Sequence, residues 1–417
     1  MSCAISTTLK KYCSSSSAEV AVAKTKTILY HSVKDIDVNA WSELVHRSNR
    51  FLCLDYLTAL EESHDNGLEL RYVLFTENDI PIGAAAFQIT HFITSDDAYS
   101  NVFLKTINNF LKFFRGRHVH NILICGNAIA TGEHGFTFKN STDSKAICAL
   151  LVGAMKEVAG EEQKRGKRIC AMVIKDFYPN SLEIAEEFKL ARFKTFQVDH
   201  NMVMPLLPEW QNLNDYLDSM NTKFRTKAKA ALKRSDALEI IDRNEKNIQE
   251  IIPQLNDLYT KVHEKADFRL GKLDLNALPL LVSHLPNNFI IRTYSLHGKI
   301  VGFITAMTCG NTLEAHVIGI DYDVNRDFAV YQRMLYDYVD LAIQRRCERI
   351  VFGRTAAEIK SSIGAFPVDL TCCVLHQRRI SNALLSLIVN YVKPSEYPQR
   401  QPYKSEVLEK ISNEKLF

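Results

Sequence analysis

Apolar residues in this chain fall into short β-rich runs separated by turn residues, and the same arrangement occurs twice. Leu70-Arg71-Tyr72-Val73-Leu74-Phe75 predicts a strand, Thr76-Glu77-Asn78-Asp79 a turn, and Ile82 to Ile89 the return strand. Later, Phe289 to Tyr294, Leu296-His297-Gly298-Lys299 and Ile300 to Met307 repeat that order, with Gly83 and Gly302 at matching places. Each hairpin is followed by a third strand, a polar loop, a helix and a fourth strand. In the first half these are Asn121–Gly126, Asn127–His134, Ser144–Gln163 and Ile169–Ile174. The helix carries Ile147, Leu150, Leu151, Ala154 and Val158 on one stripe. In the second half they are Leu313–Ile320, Asp321–Asp327, Ala329–Gln344 and Arg349–Phe352. Two copies in register predict an internal duplication.

The remaining segments frame the two copies. Trp210 to Leu238 reads as helical, with a lysine and arginine run over Thr222–Arg234, and Ile248–Glu264 as a second amphipathic helix. The expected division is a leader over 1–27, an N-terminal half over 28–205, a C-terminal half over 206–393 and a tail over 394–417. The leader holds four consecutive serines, four lysines and one acid, which fits a disordered segment or a transit peptide.

Composition narrows the class. The chain has 417 residues, a net charge of +3 and ten cysteines with no CxxC pair. Scattered thiols among apolar residues point to a reducing, cytoplasmic setting and to no metal site. The small net charge argues against nucleic acid as a partner. No run is long and apolar enough for a membrane span.

The strand, strand, strand, loop, helix, strand order resembles the core of GNAT acyltransferases. The second half resembles the BioF-like (acetyltransferase type six) branch. The likeness is carried by Phe224-Arg225-Thr226-Lys227-Ala228-Lys229, Lys299-Ile300-Val301-Gly302-Phe303, Val317-Ile318-Gly319-Ile320-Asp321, Phe352-Gly353-Arg354 through Lys360, and Gly364-Ala365-Phe366-Pro367. The whole chain also looks like a two-lobed relative of the Fem peptidyltransferases. The resemblance implies an α/β (α+β) protein of two tandem GNAT-like acyl-CoA N-acyltransferase folds, with mixed sheets flanked by helices. It implies an N-acyltransferase with acyl-CoA or acetyl-CoA as donor and no metal. The acceptor would be a small-molecule or lipid amine, such as a long-chain amino base. Two other expectations stand beside it: a peptidyltransferase using aminoacyl-tRNA, and a non-catalytic binding protein on a double-GNAT scaffold.

Acyl transfer to an amine needs a group to take a proton and donors for the oxyanion. The candidates are Glu133 and His134 in the first loop, and Glu314, His316 and Asp321 on or after the third strand of the second half. Period two puts Glu314, His316 and Ile318 on one face. Each pair has an alternative reading, His134 as a helix cap and Glu314 with His316 as a hydrogen-bonded surface pair. For the donor phosphates, Gly132 and Gly135 would leave backbone N–H groups accessible. The equivalent second-half stretch has no glycine but has Arg326 beside a helix start. Arg225, Arg354 and Lys360 are carried over from the resemblance as anion-binding cations, with a salt bridge to Glu358 the competing role for Lys360. Finally, Val102 to Arg117 is apolar, aromatic and basic, with no acid from Ala98 to Gly132. It reads as a peripheral contact with the inner face of a membrane, or as a core-packed or partner-binding helix.

Overall fold

The computed structural model describes residues 3–6, 25–46, 48–63, 68–93, 119–265, 271–389 and 394–412. The stretch 102–117 lies outside the described residues, as do 7–24 of the expected leader. The strands are β1 (Cys3–Ser6), β2 (Thr25–Tyr30), β3 (Leu68–Glu77), β4 (Ile80–Ile93), β5 (Val119–Cys125), β6 (Phe136–Phe138), β7 (Ile169–Phe177), β8 (Lys194–Gln197), β9 (Asn201–Pro205), β10 (Glu239–Arg243), β11 (Phe289–Leu296), β12 (Lys299–Cys309), β13 (Thr312–Ile320), β14 (Arg349–Val351), β15 (Phe366–Val368) and β16 (Thr371–His376). The principal helices are α1 (Val38–Leu44), α2 (Leu54–Glu62), α3 (Ser144–Lys164), α4 (Leu182–Leu190), α5 (Leu213–Asp218), α6 (Thr222–Arg234), α7 (Ile252–Lys265), α8 (Ala277–His284), α9 (Tyr322–Phe328), α10 (Val330–Gln344), α11 (Ala357–Ser362), α12 (Arg379–Val389) and α13 (Ser405–Ser412).

The two predicted hairpins form as β3–β4 and β11–β12, each antiparallel. Each tight turn holds two residues with positive φ, Asn78 and Asp79 in one, His297 and Gly298 in the other. That is the mirror-image turn whose twist matches flanking strands. In each half the third strand then pairs in parallel with the fourth, β5 with β7 and β13 with β14. The crossover helix lies between them in sequence. In the second half α10 buries Val330, Met334, Leu335, Tyr338, Val339 and Ala342. Each such burial is worth roughly 1.5–3 kcal/mol for the larger side chains.

Division into two self-contained halves at residue 205 does not hold at the level of sheets. Strand β9, from the end of the first half, pairs with β14 and β15 of the second sheet. Strand β16, from the end of the second half, pairs with β7 and β8 of the first. The order is β1-β2-β3-β4-β5-β7-β16-β8 in one sheet, with β6 on β4, and β10-β11-β12-β13-β14-β9-β15 in the other. Each sheet therefore carries a strand of the other half beside its last parallel strand. The two crossing linkers meet, with His200 Nδ1 at 2.7 Å from Asp369 Oδ1.

Four further expectations change. Residues 3–6, placed in the leader, form β1 on β2, which itself begins at Thr25. Trp210–Leu238 is not one helix. Met220 bridges to Tyr403, and Asn221 donates from its backbone to Pro402 and from its side chain to Tyr403, 2.8 Å each, so the chain breaks between α5 and α6. The same contacts make residues 394–412 part of the second half rather than a tail, with Tyr403 and Ile411 in its core. The loop expected over Asp321–Asp327 is mostly the short helix α9. Asp321 caps it by accepting from the Asp323 N–H, and Ala329, at φ 49°, ends it.

Candidate functional site between the two halves

A continuous apolar cluster joins the halves. It takes Trp41, Phe51, Tyr56 and Tyr72 from the first, and Leu278, Phe289, Phe303, Met307 and Val317 from the second. His134 of the first half and His316 of the second both meet Phe51 in this seam.

Strand β13 decides its geometry. It pairs with β14 through Thr312, Leu313 and Glu314 and no further. By contrast, β5 stays paired with β7 to Cys125, its last residue. The opening in β13 coincides with a bulge, because Ala306 faces Ala315 but Ile304 faces Ile318. Thr305 fills the bulge. Its Oγ1 accepts from the Val317 N–H at 2.9 Å and donates to the Val317 carbonyl at 3.3 Å. A bulge re-aims the side chains that follow it. Leu313, Ala315 and Ile318 pack with the second-half core while Val317 joins the seam. Glu314 and His316 keep their common face, but Ile318, expected with them, turns to the other side.

Glu314 is buried, and no described residue donates a hydrogen bond to its carboxyl. Burial pushes its pKa up to about 8, against the pull of Arg349. It is therefore mainly a neutral acid at pH 7. His316 is surrounded by Phe51, Tyr56 and Phe289, with ring centroids at 5.8, 6.2 and 5.9 Å. Burial first, and the neighbouring His134 second, lower its pKa to about 4. Its ring is thus neutral at pH 7. Nδ1 lies 3.4 Å from Thr305 Oγ1 and Nε2 3.5 Å from the Tyr56 hydroxyl, which Asn127 Nδ2 reaches at 3.1 Å.

Glu133 and His134 reach the seam as braces. The Glu133 carboxylate accepts from the Tyr178 N–H at 2.7 Å and from Ser181 Oγ at 3.1 Å. Both ring nitrogens of His134 face oxygens, Nδ1 the Asn49 Oδ1 at 3.0 Å and Nε2 the Thr131 carbonyl at 3.1 Å, and the neutral ring donates to one of them. Burial and then Lys175 lower its pKa to about 4. The ring lies tilted against Phe51, centroids 4.2 Å apart, and caps no helix. The Glu133 carboxylate is taken up by two donors, and both His134 nitrogens are turned to protein oxygens.

The first-half glycines do not form a phosphate cradle. The Gly132 N–H is bonded to Asp176 Oδ2 at 3.1 Å. A Cβ on Gly135 would stand 2.5 Å from the Gly126 nitrogen, so Gly135 serves close backbone packing. The start of α3 is already capped by the Asp143 carboxylate, whose charge opposes an incoming anion.

Arg354 is committed as well. Its guanidinium bonds the Asp176 carboxylate, and Nε donates to the Asp199 carbonyl at 3.2 Å. Asp176 also takes Lys175 Nζ at 2.9 Å and the Cys372 thiol at 3.3 Å. Lys360 is buried and donates to the carbonyls of Phe352 at 2.7 Å and Gly353 at 3.3 Å. Burial lowers its pKa to about 7. Glu358 pairs with Arg400 instead of Lys360. Asp321 binds Lys299 Nζ at 3.1 Å in addition to capping α9, and stands outside the seam. Arg225 is half-buried with Asp218 at 3.4 Å. Arg326 is exposed, and its carbonyl accepts from Arg234 at 3.0 Å.

Residues missed from the sequence are Asn49, Phe51, Tyr56, Asn127, Thr305, Lys175 and Asp176. One signal existed: Lys175-Asp176 interrupts the otherwise apolar strand Ile169–Phe177, and a buried charge demands a partner.

Two duplicated mixed sheets, each with a hairpin, a parallel crossover and a return strand, define a pair of tandem GNAT-like folds. Solved structures agree. FemX matches with a TM-score of 0.52 at 12% identity, over 86% of this chain and 99% of that one. A tandem GNAT protein from the clavulanic acid biosynthesis pathway, solved without AcCoA, matches with a TM-score of 0.50 at 8% identity, over 84% and 98%. No family model matches the sequence, and no curated protein matches it.

Proposed function

We propose that the protein is an N-acyltransferase that uses the parting of β13 from β14 to hold a thioester donor, with an amine acceptor at the seam. The observation that carries this reading is the bulge at Thr305–Val317. It sets a buried carboxyl to which no described residue donates, Glu314, and a neutral imidazole, His316, on one face where the strands part. With the proton of His316 on Nδ1, facing Thr305, the Nε2 lone pair exchanges the 3.5 Å contact with the Tyr56 hydroxyl for the amine proton. The amine nitrogen attacks the thioester carbon, the C–N bond forms, and the C–S bond breaks. Protonated Glu314 supplies a proton to the departing thiolate. The apolar ring of Phe51, Tyr56 and Phe289 suits an acceptor or acyl group with hydrocarbon character, which supports a lipid-like amino base.

A second reading, aminoacyl-tRNA as donor in the manner of Fem-like enzymes, is favoured by one feature. Helix α6 exposes Lys223, Lys227, Lys229, Lys233 and Arg234 beside Arg326. Thermal shift against CoA, palmitoyl-CoA and transfer RNA separates the two. Stabilisation by the long-chain thioester is expected; a response to transfer RNA alone overturns the first reading for the second. If none stabilises the protein, both donor readings fail and the non-catalytic binding scaffold is the reading left standing.

A further inference from the structure

One end of the nine-stranded sheet carries an apolar stripe that the transferase reading leaves unused. The three most exposed large hydrophobic residues among those described are Leu190 at 78%, Ile380 at 74% and Leu387 at 61%. Ile380 and Leu387 lie on α12 with exposed Ala383 between them, a spacing of three and seven that aligns them on one helix face. Leu190 ends α4, two residues before Arg192. The Arg192 carbonyl accepts from Asn382 Nδ2 at 3.0 Å, so that turn and the start of α12 are held together. The opposite side of α12 packs on β8 and β16.

Charge says what such a stripe fits. Arg192, Arg378 and Arg379 are all exposed at the same end, as are Glu183 and Glu186 on α4, where Glu186 pairs with Lys189. From Thr371 to Ser395 the sequence has no acidic residue. Arg378 and Arg379 sit at the start of α12, where cations oppose the helix dipole. Helix stability does not account for them. A second copy of this chain would bring like charges together, whereas an anionic lipid surface supplies the opposite charge and accepts the apolar stripe. We infer that the α12 face, with the Leu190–Arg192 turn, docks on the surface of an anionic bilayer, the helix lying in the plane of the interface. This inference stands independently of the donor and acceptor proposed above.

The test is cosedimentation of the full chain with phosphatidylcholine vesicles, with and without phosphatidylglycerol. Wild type is expected to pellet with the anionic vesicles alone, and to be released by high salt. Ile380→Glu/Leu387→Glu is expected to weaken pelleting by about tenfold or more, since a charge in place of each apolar contact removes its burial. Leu190→Glu, on a different element, should weaken it in the same direction. Thermal melts of each variant establish folding; both sites are exposed, so wild-type melting is expected. Wild type that stays in the supernatant overturns the inference. So does a folded double variant that still pellets, because another surface then carries the binding. A solution dimer dissociated by Leu387→Glu, without vesicle binding, assigns the stripe to a protein contact instead.

Discussion

Arg354 of the second half closes its guanidinium on the Asp176 carboxylate of the first, and the swapped Cys372 thiol donates to the same carboxylate. Burial alone would push the Asp176 pKa up, but Arg354 and then Lys175 hold it well below the usual carboxylate range. Asp176→Asn leaves two cations buried with a neutral partner. It is expected to cost about 3–5 kcal/mol, measured by urea unfolding at pH 7. A carboxylate with a depressed folded pKa stabilises above its unfolded value and loses that contribution as pH falls. The gap between wild type and variant should therefore narrow on acidification below pH 4. An unfolding midpoint unchanged by the substitution would remove the clasp from the account.

Glu314 has the opposite linkage. Its folded pKa is raised from 4.5 to about 8. The native state holds the extra proton in that window, so stability is lost as pH rises through it. Glu314→Gln is expected to melt like wild type at pH 4 and above it at pH 8, while transfer to amine falls by about two orders of magnitude with loss of the acid. Equal melting at both pH values would show that the carboxyl is not held protonated.

Thr305→Val removes the hydroxyl that satisfies Val317 across the bulge. The change conserves shape but not hydrogen bonding. It should cost about 1–3 kcal/mol through the stranded backbone groups, and lower kcat by loosening His316. Differential scanning calorimetry with steady-state rates checks both; a stable variant with full turnover contradicts the assigned role.

Lys360, lowered to about 7, binds fewer protons in the folded chain than in the unfolded chain between that value and about 10.4. Stability therefore rises with pH across this interval. Wild type should gain on Lys360→Met as pH increases from 7 to 9, followed by thermal melting. A gap independent of pH would mean that the amine is not buried without a counter-ion.

Much of the fold was legible in local pattern. The paired hairpins, both crossover helices and the shared face of Glu314 and His316 follow from periods of two and 3.6. These depend on neighbours within a few residues. The site was legible in part. Glu314 and His316 could be named because they interrupt an apolar strand. The roles of Glu133, His134, Arg354 and Lys360 could not, since their partners are distant in sequence.

By itself, the sequence determined a duplicated α/β chain with polar groups on its third strands. Tertiary structure alone decided the exchange of β9 and β16, the bulge that turns Ile318 away, and the occupation of the first-half glycine loop. The reason is physical. A strand's propensity does not depend on which sheet completes its hydrogen bonds, and a carboxylate gives no local sign that it will meet a thiol 196 residues away.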